Sequence, residues 1–287
     1  MKLIQSLLLF CFCAALTSSC FDPPELPVQP QIEFRSLTFK EIGTSVDFDS
    51  LVLVISFKDG DGDLGLNATA NNSPHNQYNF FIDVGNQIVS SSDVETLTPD
   101  MKVTRLRSRK KPGLENKVPD FTSPANCLNY YIGQIYIPEN QQSLIDDSYD
   151  ATDTIADGNL YYVVSDTFYI ERNKNYYNID VSFWIRDDGS ITDPLAERED
   201  GFVKLNWETL YEYPRCGETF NGRFPVLSRK GKASPMEGDI RYSMNSSGFK
   251  PILGNKPFRL KVQIRDRALN ESNVITTPVK TLLELRR

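Results

Sequence analysis

Phe258-Arg259-Leu260-Lys261-Val262-Gln263-Ile264-Arg265 alternates apolar and polar residues without a break. In an extended chain successive side chains point to opposite faces, so this octet predicts a strand with one dry face and one wet face. Leu51, Leu53, Ile55 and Phe57 repeat the pattern, as do Tyr177, Ile179, Val181, Phe183 and Ile185 against Asn178, Asp180, Ser182 and Arg186. Shorter candidates lie at 32–40, 78–84, 130–137, 160–170, 202–207, 239–244 and 273–283. No segment of useful length carries a strong helical period. Many short strands, one face solvated and separated by Gly, Asn, Asp and Pro clusters, predict an all-β antiparallel sandwich.

Placing 51–58 as strand B and 258–265 as strand F gives an immunoglobulin-like arrangement, in which the loops after both strands open at the same pole. Residues 32–287 then form one sandwich domain. The stretch 86–176 lacks strong alternation and reads as a long insertion in it. The alternative is two β-sandwich domains with a boundary in 140–160. Three strands end alike, at Phe57-Lys58-Asp59, Ile185-Arg186-Asp187 and Ile264-Arg265-Asp266. Each places an inward apolar residue, an outward base and a turn-starting Asp in sequence.

The N-terminus carries an address. Lys2 precedes the apolar run Leu3–Leu16, and Thr17-Ser18-Ser19 leads to Cys20. This is a secretory signal over 1–19, too short to span a bilayer, ending like a bacterial lipobox. Cys20 becomes the acylated first residue and ties the protein to a membrane. Residues 20–31 contain four prolines and read as an extended, unfolded tether. Of five cysteines, Cys11 and Cys13 leave with the signal and Cys20 takes lipid. Cys127 and Cys216 remain, outside the cytoplasm, as a candidate disulfide closing a long loop worth roughly 4–5 kcal/mol. The alternative is two separate buried thiols. The formal charge of −7 argues against nucleic acid as a partner.

Asp59-Gly60-Asp61-Gly62-Asp63 puts carboxylates at alternate positions, with glycines that let the loop curl and point oxygens inward. Such oxygen-rich sites suit Ca²⁺. An EF-hand would need a bidentate Glu at the twelfth position, which here is Ala70. In the sandwich arrangement the loop instead faces Asp266–Asn273. The candidate ligands of a structural Ca²⁺ are therefore Asp59, Asp61, Asp63, Asp266 and Asn270. The competing reading is an ion-free turn bonded to its own backbone.

Four stretches together resemble a group of outer-membrane lipoproteins of Bacteroidota. They are Cys20–Glu25 with Pro30–Phe34, Ile55–Leu66, Phe220–Leu227 and Ile264–Asn273. The resemblance implies an outer-membrane lipoprotein with an immunoglobulin-like fold, and it implies no activity.

Catalytic chemistry is thin. The single histidine, His75, lies in a polar stretch, and no Gly-x-Ser-x-Gly elbow accompanies any serine. Too few His and Cys remain for a zinc site. Acidic residues are plentiful, which leaves a carboxylate-based envelope hydrolase as one reading. Trp184 alternates outward and is the candidate platform for stacking on a sugar ring, which would make a surface glycan-binding lipoprotein serving a nutrient transporter. The alternative puts Trp184 in a second layer of core. Lys102–Gly113 is a basic run that reads as a solvated hairpin or a contact for an acidic partner. The leading expectation is a lipid-anchored, non-enzymatic binding or scaffold protein of the cell envelope, whose partner is a glycan or another envelope protein.

Overall fold

In the computed structural model the described residues are 26–42, 48–84, 87–90, 103–109, 128–145, 149–210, 219–228 and 234–286. The first two strands are β1 (Gln31–Lys40) and β2 (Asp49–Asp59), an antiparallel pair. A bulge at Arg35 shifts the register between Phe34 and Ser36. Six strands follow: β3 (Tyr78–Val84), β4 (Gln87–Ser90), β5 (Val103–Leu106), β6 (Tyr130–Pro138), β7 (Thr152–Ala156) and β8 (Asn159–Arg172). The rest are β9 (Ile179–Arg186), β10 (Arg198–Glu199), β11 (Phe202–Leu205), β12 (Met236–Ser246), β13 (Phe258–Ile264) and β14 (Ile275–Thr276). One short helix, α1 (Leu282–Leu285), closes the chain.

The strands make an all-β antiparallel sandwich. One sheet runs β1-β2-β12 and the other β10-β11-β9-β13-β14. With β2 as B and β13 as F, these orders read A-B-E and C′-C-F-G, with β10 added beyond C′, the immunoglobulin-like arrangement. The alternation explains it residue by residue. Leu51, Leu53 and Ile55 from β2 are fully buried and face Phe183, Phe258, Leu260 and Val262 across the core. Each such side chain contributes about 1.5–3 kcal/mol on leaving water. The opposite faces stay polar or are covered by long side chains. Arg186 and Arg259 stack on the Phe202 ring at 4.5 Å, and Lys261 lies 4.4 Å from the Trp184 ring centre.

Between β2 and β9 the chain builds a third sheet, ordered β4-β3-β8-β6, with β5 on β3 and β7 on β8. It buries its own cluster, including Ile82, Leu106, Val164, Phe168 and Ile170. This sheet takes in β3, which starts at Tyr78, ahead of the expected limit at 86. β6 and β8 pair from Tyr130–Tyr169 to Pro138–Tyr161, so a single sheet spans the interval 140–160. Arg107, from the basic run, is not a solvated charge. It is 4% exposed and ion-paired with Asp83.

The expected strand over 273–283 is replaced by two-residue β14 and by α1. Thr281 accepts from the Glu284 amide while the Glu284 carboxylate accepts from the Thr281 amide. This capping box satisfies the first orphan donors and turns the segment helical. No helix among the described residues is long and apolar enough to cross a membrane.

Candidate metal centre

β2 delivers Asp59 and β13 delivers Asp266 to the same end of the sandwich, because each runs antiparallel to its neighbours toward that pole. The loop after β2 then curls. Asp63 N–H donates to Asp59 Oδ2 at 3.1 Å, and Gly62 takes a left-handed φ of 71°. A Cβ on Gly62 would meet Ser234 O at 2.0 Å, so only glycine fits both the turn and the close approach. The facing loop is fixed by Asp266, which accepts from Asn270 N at 2.7 Å and Asn270 Nδ2 at 2.8 Å. Ala268 N–H donates to Asp63 Oδ2 at 3.1 Å and joins the two loops.

The outcome is a four-carboxylate cluster. Asp59, Asp61, Asp63 and Asp266 each offer one oxygen, and no two of these lie more than 4.8 Å apart. Asp59 is 0% exposed and Asp266 1%. The Oδ1 atoms of Asp59, Asp61 and Asp63 are buried and accept no hydrogen bond from the protein. Ca²⁺ takes roughly six to eight oxygen ligands in a flexible shell, whereas Mg²⁺ keeps several waters and one or two carboxylates, so a cluster of four protein carboxylates suits Ca²⁺.

The electrostatics are those of a site short of positive charge. Burial first, and then the neighbouring carboxylates Asp61, Asp63 and Asp266, push Asp59 up to about 6. Burial also raises Asp63 and Asp266. Arg267 opposes this at Asp63, but its guanidinium is turned to the carbonyls of Leu64 and Gly65, at 3.5 and 3.3 Å. Asn270, expected as a ligand, has its side-chain nitrogen on Asp266 and positions that carboxylate.

Around the cluster stands a tight scaffold. Leu64 and Leu66 are buried, Leu66 N–H donates to Phe224 O at 3.1 Å, and Leu227 N–H donates to Leu64 O at 3.2 Å. Asn178, 1% exposed, receives Phe224 N–H and returns its own amide to Phe224 O. Arg265, which alternation places on the wet face, is only 5% exposed. Its guanidinium bonds the carbonyls of Lys174 and Tyr177 and the carboxylates of Asp180 and Glu271. Alternation alone makes Arg265 a surface base; its position just before the turn-starting Asp266 is the available signal of its buried role.

Residues 20–31 read as a free tether, and over their described part, 26–31, the structure differs. Gly60 N–H donates to Pro27 O at 2.8 Å, Gln29 Nε2 donates to Glu271 O, and Pro30 is buried. Asn273 pairs with Ile32 through both its side-chain atoms, at 2.8 and 2.9 Å. Proline cannot donate from its own nitrogen, so the segment docks through its carbonyl and its neighbours. The described parts of the stretches that carry the lipoprotein resemblance, Pro30–Phe34, Ile55–Leu66, Phe220–Leu227 and Ile264–Asn273, thus meet at this one pole.

Trp184 is 5% exposed, with its Nε1 on Ser182 Oγ and Lys261 over its ring. It offers no open face to a sugar and belongs to the second layer of core. Its cover is the strand neighbour Lys261. The third matching strand exit, Asp187, lies at the opposite pole, where it accepts from Gly189 N–H in a simple turn. Near the acidic pole His75 Nδ1 meets Asn175 O at 3.2 Å in a loop contact. Cys20, Cys127 and Cys216, with the signal at 1–19, lie outside the described residues. Comparison with protein-family models, curated proteins and solved structures returned no match to this chain.

Proposed function

We propose that this chain is a lipid-anchored, non-enzymatic module of the bacterial cell envelope, of the Bacteroidota outer-membrane lipoprotein kind, whose sandwich pole is stapled by a structural Ca²⁺. The observation that carries the metal reading is Asp59, a fully buried carboxylate with an orphan oxygen held against three more carboxylates. Burying like charges without compensation is costly, and a divalent cation is the compensation that an all-oxygen donor set selects. The lipobox ending at Cys20 supports the anchoring, and the segment 26–31 that follows it in the chain docks at the metal pole. The four carboxylates form one cluster, each with an oxygen within 4.8 Å of the others, an arrangement that suits an ion. A binding or scaffold role fits this better than hydrolysis does.

The test is thermal. Ca²⁺ at a hundredfold excess over its dissociation constant should stabilise the parent by about 2.7 kcal/mol, and EDTA should reverse the gain. Mg²⁺ at equal concentration should do much less. A chain carrying Asp61→Asn and Asp63→Asn should melt at the same temperature with or without Ca²⁺. A parent indifferent to Ca²⁺ would refute the metal reading. An intact mass showing an unmodified Cys20 in protein taken from membranes would refute the anchor.

A further inference from the structure

We infer that Ca²⁺ occupancy controls whether the N-terminal segment 26–31 is strapped to the sandwich, so that the metal site sets how far the domain stands from its anchor. The inference rests on the metal reading above. Its warrant is that the strap is held by both loops that supply the carboxylates. The Asp59–Asp63 loop grips it through Gly60, whose N–H reaches Pro27 O at 2.8 Å. A Cβ at Gly60 would sit 2.2 Å from Leu26 O, so the strap lies directly on this glycine. The Asp266–Asn273 loop holds the other end through Glu271 O to Gln29, and through Asn273 it holds Ile32, the β1 residue that directly follows the strap.

Four carboxylates repelling one another push these two loops apart, and a bound cation draws them together. The strap spans both and feels the difference. Val28 is 56% exposed and Pro30 is buried, so the docking of the strap rests on Pro30 and on those few polar contacts. Releasing 26–31 would add six residues of free chain, up to about 20 Å of reach. Coupling of this kind is reciprocal: if the ion favours the docked strap, the docked strap favours the ion by the same factor.

Hydrogen exchange on the full mature chain tests this, read at the Ile32 amide, which is bonded to Asn273 and lies outside the acidic loop. Adding Ca²⁺ should slow Ile32 exchange about tenfold relative to EDTA. Gly60→Ala, which keeps every carboxylate, should leave Ile32 exchanging fast with Ca²⁺ present and weaken Ca²⁺ binding by the same factor. Gln29→Ala provides the same test without altering the loop, should Gly60→Ala fold poorly. Calorimetric binding of Ca²⁺ with unchanged Ile32 exchange would overturn the strap while leaving the metal site standing. Absence of Ca²⁺ binding altogether would instead remove the metal reading beneath it.

Discussion

Without Ca²⁺, the sandwich should be more stable at pH 5 than at pH 7.5, and saturating Ca²⁺ should reverse that order. Asp59 has its folded pKa raised from 3.8 to about 6. Between those values the folded state binds more protons than the unfolded one, so stability falls as pH rises through 6. From pH 5 to 7.5 Asp59 alone accounts for about 1.4 kcal/mol, and Asp63 and Asp266 act in the same direction. Glu41, Asp188, Glu199 and Glu284 are shifted downward by hydrogen bonds or ion pairs and are ionised at both pH values. Their stabilisation is lost only at lower pH, whereas Asp180, raised by burial against the pull of Arg265, adds to the acidic pole in the same direction. Ca²⁺ needs the ionised carboxylates and competes with the protons, so its gain belongs to pH 7.5. Both tryptophans, Trp184 and Trp207, lie buried in the sandwich, and their fluorescence during urea unfolding follows this unit.

The largest single loss from a side chain should come from Phe183→Ala. Phe183 is fully buried at the centre of the core. Its ring lies 5.0 Å from Phe220, 5.2 Å from Trp207, and 6.1 Å from each of Phe249 and Phe258. Those partners come from four separate segments of chain, so the void cannot close by moving one of them. Truncation should cost about 3–5 kcal/mol, from lost burial plus the cavity left behind. The urea midpoint by far-UV circular dichroism should fall accordingly, with Ca²⁺ stoichiometry retained in the surviving folded fraction. A loss below about 1 kcal/mol would mean that the two sheets do not pack face to face here.

Sequence reading reached the sandwich because β1, β2, β9 and β13 each keep one dry face, which writes the fold as a period of two. It reached the acidic pole for a related reason. Once β2 and β13 are given their places in an immunoglobulin-like order, their following loops must share an end, and the carboxylates come along. What alternation does not carry is the covering of the wet face. Trp184 does point outward, but the register that sets Lys261 opposite Ser182 puts the lysine ammonium over the indole. Arg107 sits in a basic run, yet its partner Asp83 is on another strand, and no local pattern reveals the pairing. At 273–283 the β-branched residues Ile275, Thr277 and Val279 favour an extended chain, although the sequence also contains the Thr281–Glu284 capping pattern. The strap at 26–31 was hidden by composition, since prolines signal an extended chain and say nothing of whether that chain is docked.

Isothermal titration of the mature protein with Ca²⁺ at pH 7.5 tests the central claim most directly. The account expects one site per chain, abolished by Asp59→Asn, a substitution that retains the Asp63 hydrogen bond and relieves charge repulsion. That variant should fold and, without Ca²⁺, should match or exceed the parent in stability. Heat indistinguishable from buffer in the parent, or binding undiminished in Asp59→Asn, would contradict it.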